Sequence, residues 1–428
     1  MVGRAFIVSI LLAGCASSPA MKAAESGDRA TLGSVLATRE KRGDVSNDEA
    51  ASLAHAVADR DLRAGGTTPE QTLALVRDAR PCARELDSAL AARMRVHDEA
   101  GALAALARID GQGLDLDDAR DYAGDPDGAW RAVGARGLVR SEDRDTRLRV
   151  LVDPDPRVRR QAAVAARDDA DPNDLGVLAE AARVDPDPMV RTEAVRAIAV
   201  LAPLPRGEVA DVLRDLWSDA DDGLREDIAI AWASPRVWDS GGSEALRVLA
   251  ASGHGPGVIE GAAAVLRTEN LGGDVVIAAI AQLERAIAEG PRARRLQAIA
   301  EAPLGRPELR TALAAAADAE DLEVRVAALA RLAEAKQPDA IAKLEALATP
   351  GSPVAVRARF ALAELGDRRI QAWIEQDLAS ADADDRLSAV TSLAALGVSG
   401  RGAPVLADAD PHVRVRAACT ILMAARRE

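Results

Sequence analysis

Two kinds of residue in this chain are placed to do chemistry. The first is Cys15, a thiol nucleophile that follows Leu12, Ala13 and Gly14. Small residues at positions 13 and 14 let an enzyme bring its own backbone close to the chain. Upstream, Arg4 gives a short positive start, and residues 5–13 form an apolar run too short to be a permanent bilayer span. The second is an aspartate four residues before an arginine, in six copies: Asp127/Arg131, Asp155/Arg159, Asp187/Arg191, Asp221/Arg225, Asp321/Arg325 and Asp410/Arg414. Within one helix such a pair stabilises by only a few tenths of a kcal/mol, roughly 0.2–0.5. A planar guanidinium that instead reached the next repeat's aspartate and carbonyls would make stronger, bidentate bonds. On either reading these residues are structural rather than catalytic.

Other reactive side chains suggest no site. His55, His97, His254 and His412 are scattered and lack Cys, His or Asp neighbours at metal-ligand spacing, so no metal and no cofactor is expected. No catalytic constellation is visible. Cys82 and Cys419 lie far apart in sequence, at opposite ends of what reads as an elongated array. Their ends would have to meet for a disulfide to form, so both are expected to be free, small core residues. The least repetitive stretch, 217–257, holds Trp217, Trp232, Trp238 and several glycines. Trp232 falls on a buried helical face. Trp238 lies in a loop from Pro235 to Gly242, where it is a candidate partner contact; folding back over a widened repeat is the favoured alternative. The glycines of this stretch match no phosphate loop and read as turns.

The elements that position these residues are helices. Asp155-Pro156-Arg157-Val158-Arg159 recurs as Asp187-Pro188-Met189-Val190-Arg191, as Asp321-Leu322-Glu323-Val324-Arg325 and as Asp410-Pro411-His412-Val413-Arg414. Aspartate is a good helix N-cap, and proline suits the first helical position, where no amide donor is required. Apolar residues then fall on one face: Val158, Ala162 and Ala165; Val190, Ala194 and Ile198; Leu224, Ile228 and Trp232; Val324, Ala328 and Leu332. A period of about thirty residues is the mark of a solenoid. Ten copies are read from residue 121 to 428, with arginine positions at 131, 159, 191, 225, 294, 325, 357 and 414, and with Ile259 and Ser388 in the other two. Gly255, Gly290 and Pro353 replace the aspartate in three copies, which predicts an interrupted ladder and a hinge near 235–260. Residues 23–120 are helical without the motif: Ser46 and Glu49 open one helix, Thr68-Pro69-Glu70 a second, and 84–109 reads as one long helix. This segment is expected to be an N-terminal helical cap, preceded by a tether at 15–22. The fold class expected is all-α: a right-handed α-solenoid of stacked helical hairpins.

Composition agrees with close-packed helices. Only 2% of the 428 residues are aromatic against 48% hydrophobic, so the core must be alanine and aliphatic. The net charge of −14 argues against a nucleic-acid groove.

The pattern Leu12-Ala13-Gly14-Cys15 resembles the lipobox of bacterial lipoproteins, in which residues 1–14 would be removed and Cys15 acylated. That resemblance implies export and a lipid anchor in the cell envelope, and Ala16 after the cysteine favours the outer over the inner membrane. The Asp-x-x-Val-Arg pattern followed by Ala and Leu resembles HEAT repeats of the short bacterial type related to phycobilisome lyases. In that family Asp and Arg form a ladder along the stack, here Asp155, Arg159, Asp187, Arg191, Asp321, Arg325, Asp410 and Arg414. The paired His-Glu dipeptides of the HEAT-based di-iron hydroxylases are missing, and export contradicts a lyase role in pigment assembly. Together these resemblances imply a membrane-anchored scaffold with a protein partner, no nucleic acid and no enzymatic activity. The alternative is a small-ligand or enzymatic site near 217–257.

Overall fold

A computed structural model describes residues 18–40, 45–201, 208–253, 255–268 and 273–427. Leu12, Ala13, Gly14 and Cys15 lie outside the described residues. Every regular element described is helical, and the helices pack in sequential pairs, so the fold is all-α. None of the described helices is long and apolar enough to cross a membrane.

Each motif copy starts a helix as its chemistry dictates. The Asp155 carboxylate accepts the Arg157 amide at 2.9 Å, with Pro156 in the first turn. Asp187, Asp321 and Asp410 cap their helices in the same way. The apolar faces read from the sequence are buried throughout, from Val158, Ala162 and Ala165 to Val324, Ala328 and Leu332. Alanine at the middle of these faces lets neighbouring helices approach closely.

Twelve helices, all but three of them opened by a side-chain cap, form one unbroken layer. They are Pro69–Ala79, Glu99–Asp110, Gly128–Gly137, Pro156–Asp169, Pro188–Val200, Asp222–Ala233, Val258–Arg267, Arg292–Glu301, Leu322–Glu334, Ala355–Glu364, Ala383–Ala395 and Pro411–Ala425. Each packs on the next, and the last packs on the first. The described residues from Asn47 onward therefore form a closed ring of twelve helical hairpins. Most of their partner elements pack chiefly on helices of this layer, as Pro338–Leu347 does on Leu322–Glu334 and Ala355–Glu364, while Gly273–Ala288 also packs on Ser243–Ser252 and Pro307–Ala316. Around most of the ring these twelve helices have the closer successive neighbours and so the smaller circumference, which makes them the inner wall.

Closure corrects the expectation of an open array with separated ends. Residues 19–110 do not cap a free end: their last four α-helices, Asn47–Ala64, Pro69–Ala79, Asp87–Met94 and Glu99–Asp110, add two hairpins and shut the circle. One core cluster contains Leu53, Val57, Leu75 and Cys82 from the start of the chain, with Val390, Val413, Ala418 and Cys419 from its end. Helix Pro411–Ala425 lies against Asn47–Ala64 and Pro69–Ala79. Asn47 bridges the seam, donating to the Gly397 carbonyl at 3.2 Å and accepting the Gly400 amide at 2.9 Å. Cys82 and Cys419, expected to be free, are joined by a disulfide with Cα atoms 5.2 Å apart. The reason is cumulative geometry. Successive hairpins are slightly rotated, and about 30° per unit returns a twelve-unit stack to its origin.

Local expectations at the start of the chain also shift. Ser46 accepts the Glu49 amide, but the Glu49 carboxylate pairs with Arg39 instead of closing a capping box. The long helix expected over 84–109 breaks into Asp87–Met94 and Glu99–Asp110. Asp98 causes the second start, accepting the Gly101 amide at 2.8 Å. The expected tether is shorter than 15–22, because Pro19–Ser26 is already a helix with Ala20 buried.

Candidate interaction surface

The arginines of the motif form rungs between successive hairpins. Arg159 donates to both oxygens of Asp185 at 2.7 and 2.9 Å and to the Asp153 and Pro154 carbonyls. Arg131 grips Asp153 in the same bidentate way at 3.0 Å. The acceptor is not the capping aspartate but the one two residues before it. Asp185 also accepts the Asp187 amide at 2.9 Å, so one carboxylate fixes both the rung and the turn. Burial pushes the Asp185 carboxyl up, but the Arg159 and Asp187 hydrogen bonds outweigh it and hold the group below its usual range. The Arg131 guanidinium does the same to Asp153, here against a smaller effect of burial.

Other rungs depart from this form for readable reasons. Arg191 bonds the Asp185 carbonyl and the capping Asp221 of the next unit. Arg325 finds only the Ala319 carbonyl of its own turn, because the next unit, with Val354 at its helix start, has Ser352 where the other units have the second aspartate. Asp321 instead pairs with Arg292. Arg414 reaches across the seam to Asp61. Four register assignments need correction. Asp382 caps helix Ala383–Ala395 and Arg386 bonds Asp408 at 2.7 Å, so Arg386 rather than Ser388 is the rung residue. Buried Arg359, not exposed Arg357, reaches Asp377. Position 259 also shifts: the helix starts after Gly257, and Ile259 is core. Position 294 shifts as well: Arg295, four residues after Pro291 at the helix start, donates to the Ile287 carbonyl, whereas Arg294 reaches the Gly255 carbonyl; Arg225 likewise hydrogen-bonds carbonyls alone.

Arg147 went unread. It is fully buried and satisfied by Asp169, Asp174 and the Leu138 and Arg140 carbonyls. Its signal was present in the same spacing, Asp143 to Arg147, in a copy without Pro or Val.

The irregular stretch 217–257 builds a groove. Trp217 and Trp232 stack with centroids 5.1 Å apart, and the Arg225 guanidinium lies 5.7 Å from the centre of the Trp217 ring. The two tryptophans, with Arg214 of helix Glu208–Asp219 and Val248 and Leu249 of helix Ser243–Ser252, line a largely apolar cavity of about 490 Å³. Val248 is 62% exposed. Trp238 is not part of this lining. It sits in a short helical turn, Pro235–Val237, that runs into a π-helical turn, Trp238–Gly242, where a loop was expected. Gly241 has φ 117° there, a conformation that excludes most side chains. Trp238 is half-buried against the main core.

Residues 145–233 match a family model described as HEAT repeats. The matched stretch is thus a run of HEAT-repeat hairpins, continuous in the ring with the others. A solved structure of an engineered protein aligns with 96% of this chain and 99% of its own, at 18% identity and a TM-score of 0.27. No curated protein matches the chain.

Proposed function

We propose that this protein is a lipid-anchored scaffold of the cell envelope that holds a protein partner against its ring. The observation that carries the reading is the apolar groove at Trp217, Trp232 and Val248. A large aliphatic side chain left exposed beside stacked aromatics is the composition of an interface centre. HEAT-repeat hairpins of the kind matched at 145–233 suit such binding, because stacked repeats present extended surfaces. Anchoring rests on Leu12, Ala13, Gly14 and Cys15, and the outer membrane is the favoured destination. The Cys82–Cys419 disulfide supports an oxidising compartment, where such bonds persist. The reading assigns no catalytic role. A second reading, a small apolar ligand in the same groove, follows from the cavity's size.

Two experiments test it. A photo-crosslinking residue at Val248 in intact cells should give a stoichiometric protein adduct, lost on Val248→Asp. A small-molecule adduct alone would favour the second reading, and no adduct would remove the groove from function. Separately, Cys15→Ser should release the protein from the membrane fraction with the ring intact. Unchanged fractionation would overturn the anchor.

A further inference from the structure

We propose that the inner wall of the ring carries a binding site for a small anionic amphiphile, a carboxylate or phosphate headgroup on a short apolar body. The site is a trough of about 300 Å³ spanning four successive inner helices, Pro69–Ala79, Glu99–Asp110, Gly128–Gly137 and Pro156–Asp169. Its apolar lining comes from Leu73 of the first helix, Ala102, Leu103 and Leu106 of the second, and Ala129 and Ala132 of the third.

The rims are cationic. Arg77 and Arg80 stand on one side, Arg157 and Arg160 on the other, against a single lining carboxylate, Glu99. In a chain of net charge −14 such a local excess is a departure from the composition. Two of the four are already engaged: Arg80 with Asp110 at 2.7 Å, and Arg157 with Asp155 and Glu99 at 2.7 and 2.9 Å. The other two are not. The Arg77 guanidinium is on an exposed residue and has no ion pair or hydrogen bond to any described residue, while its backbone carbonyl accepts the Arg80 amide. Arg160 has only a long contact of 3.7 Å to Glu193, and its buried Nε has no hydrogen-bond partner. A guanidinium left with unused donors beside an apolar lining is matched by an anionic head whose tail covers that lining. The volume sits at the low end of small-molecule sites, which limits the body to a short chain or a single ring system.

This site shares no residue with the groove at Trp217, so its test is independent of the scaffold reading. The disulfide-closed full chain is titrated calorimetrically with octanoate, octyl phosphate, octanol and octylammonium. The anions should bind at one per chain, and octanol and octylammonium at least about tenfold more weakly. Whichever anion binds more tightly identifies the headgroup. Arg77→Ala and Arg160→Ala should each weaken the anions about tenfold while leaving octanol unchanged. The Arg77 guanidinium has no partner, so its removal leaves folding intact even if Arg160→Ala does not fold. Arg214→Ala in the other groove should change nothing. Equal affinity for octanol and octanoate, or insensitivity to Arg77→Ala in the folded protein, would overturn the proposal. So would an acidic peptide binding the trough where octanoate and octyl phosphate do not saturate.

Discussion

Arg414 and Asp61 lie 353 residues apart in the chain, yet the arginine Nε donates to the carboxylate at 2.7 Å. Both side chains are buried, at 8% and 7% exposure. This is the rung that elsewhere joins one repeat to the next, used here to join the last repeat to an N-terminal helix without the motif. Asp61 also receives Arg60 at 2.6 Å, whereas Arg414 otherwise bonds only the Asp408 and Ala409 carbonyls. The two single variants should therefore differ. Asp61→Ala strands two neighbouring guanidiniums and should cost about 3–5 kcal/mol. Arg414→Ala leaves Asp61 paired and should cost less, about 1–3 kcal/mol. Urea denaturation of both variants measures the order; equal losses would show that the rung does not carry the seam.

The Cys82–Cys419 bond encloses most of the chain, 337 residues in sequence separation. Loop-closure entropy grows with loop length, and a loop this long belongs near the top of the usual range, about 5 kcal/mol. The unfolded oxidised chain is also held compact. Without reductant it should run faster on a denaturing gel than after reduction, and Cys82→Ser should abolish the difference. Identical mobility would mean the two thiols are unpaired.

Rungs with and without a carboxylate should be unequal. Arg159→Ala leaves Asp185 buried and unpaired and should cost about 3–5 kcal/mol. Arg325→Ala loses hydrogen bonds to one carbonyl and should cost about 1–2 kcal/mol. Arg191→Ala, whose partner Asp221 is more than half exposed, should lower the melting temperature by an intermediate amount. Three equal melting temperatures would remove the acceptor's role.

Acidification should act on the same rungs. Asp153 and Asp185 are held below the usual carboxylate range when folded, so the unfolded chain takes up their protons first as pH falls. Their contribution is complete above the ordinary value near about 3.9 and is lost as pH drops toward the depressed folded value. Glu260 has the opposite sign. Burial pushes its carboxyl up, the Glu260 amide and the Gln297 hydrogen bond oppose this, and the charges of Glu226 and Glu301 add to the rise. A raised folded value favours the protonated fold, so its contribution is present at low pH and lost as pH rises through that value. Glu260→Gln should therefore raise the melting temperature at pH 8, by about 1–2 °C, and change nothing near pH 4. A stabilisation that persisted unchanged into acid would contradict this assignment.

Much of the fold was legible in local chemistry. Asp-Pro openings and the buried faces they lead into are decided within one helix, so Asp155, Asp187, Asp321 and Asp410 could be read directly. The register slipped by two residues at Arg386 and Arg359, where Asp382 is followed by Ala rather than Pro and Val354 stands in the cap. The groove was legible only as an irregularity. Trp217 and Trp232 marked the place, but the stacking and Val248's exposure depend on how two hairpins diverge.

The sequence by itself determined the helices, their pairing and most of the arginines of the ladder. Each depends on residues within a turn or two of one another. Only the tertiary structure decided which aspartates receive those arginines, because the partner sits one hairpin away. It alone decided that Cys82 meets Cys419. Closure is the sum of small rotations at every interface between hairpins, and no single motif records its own share of that sum.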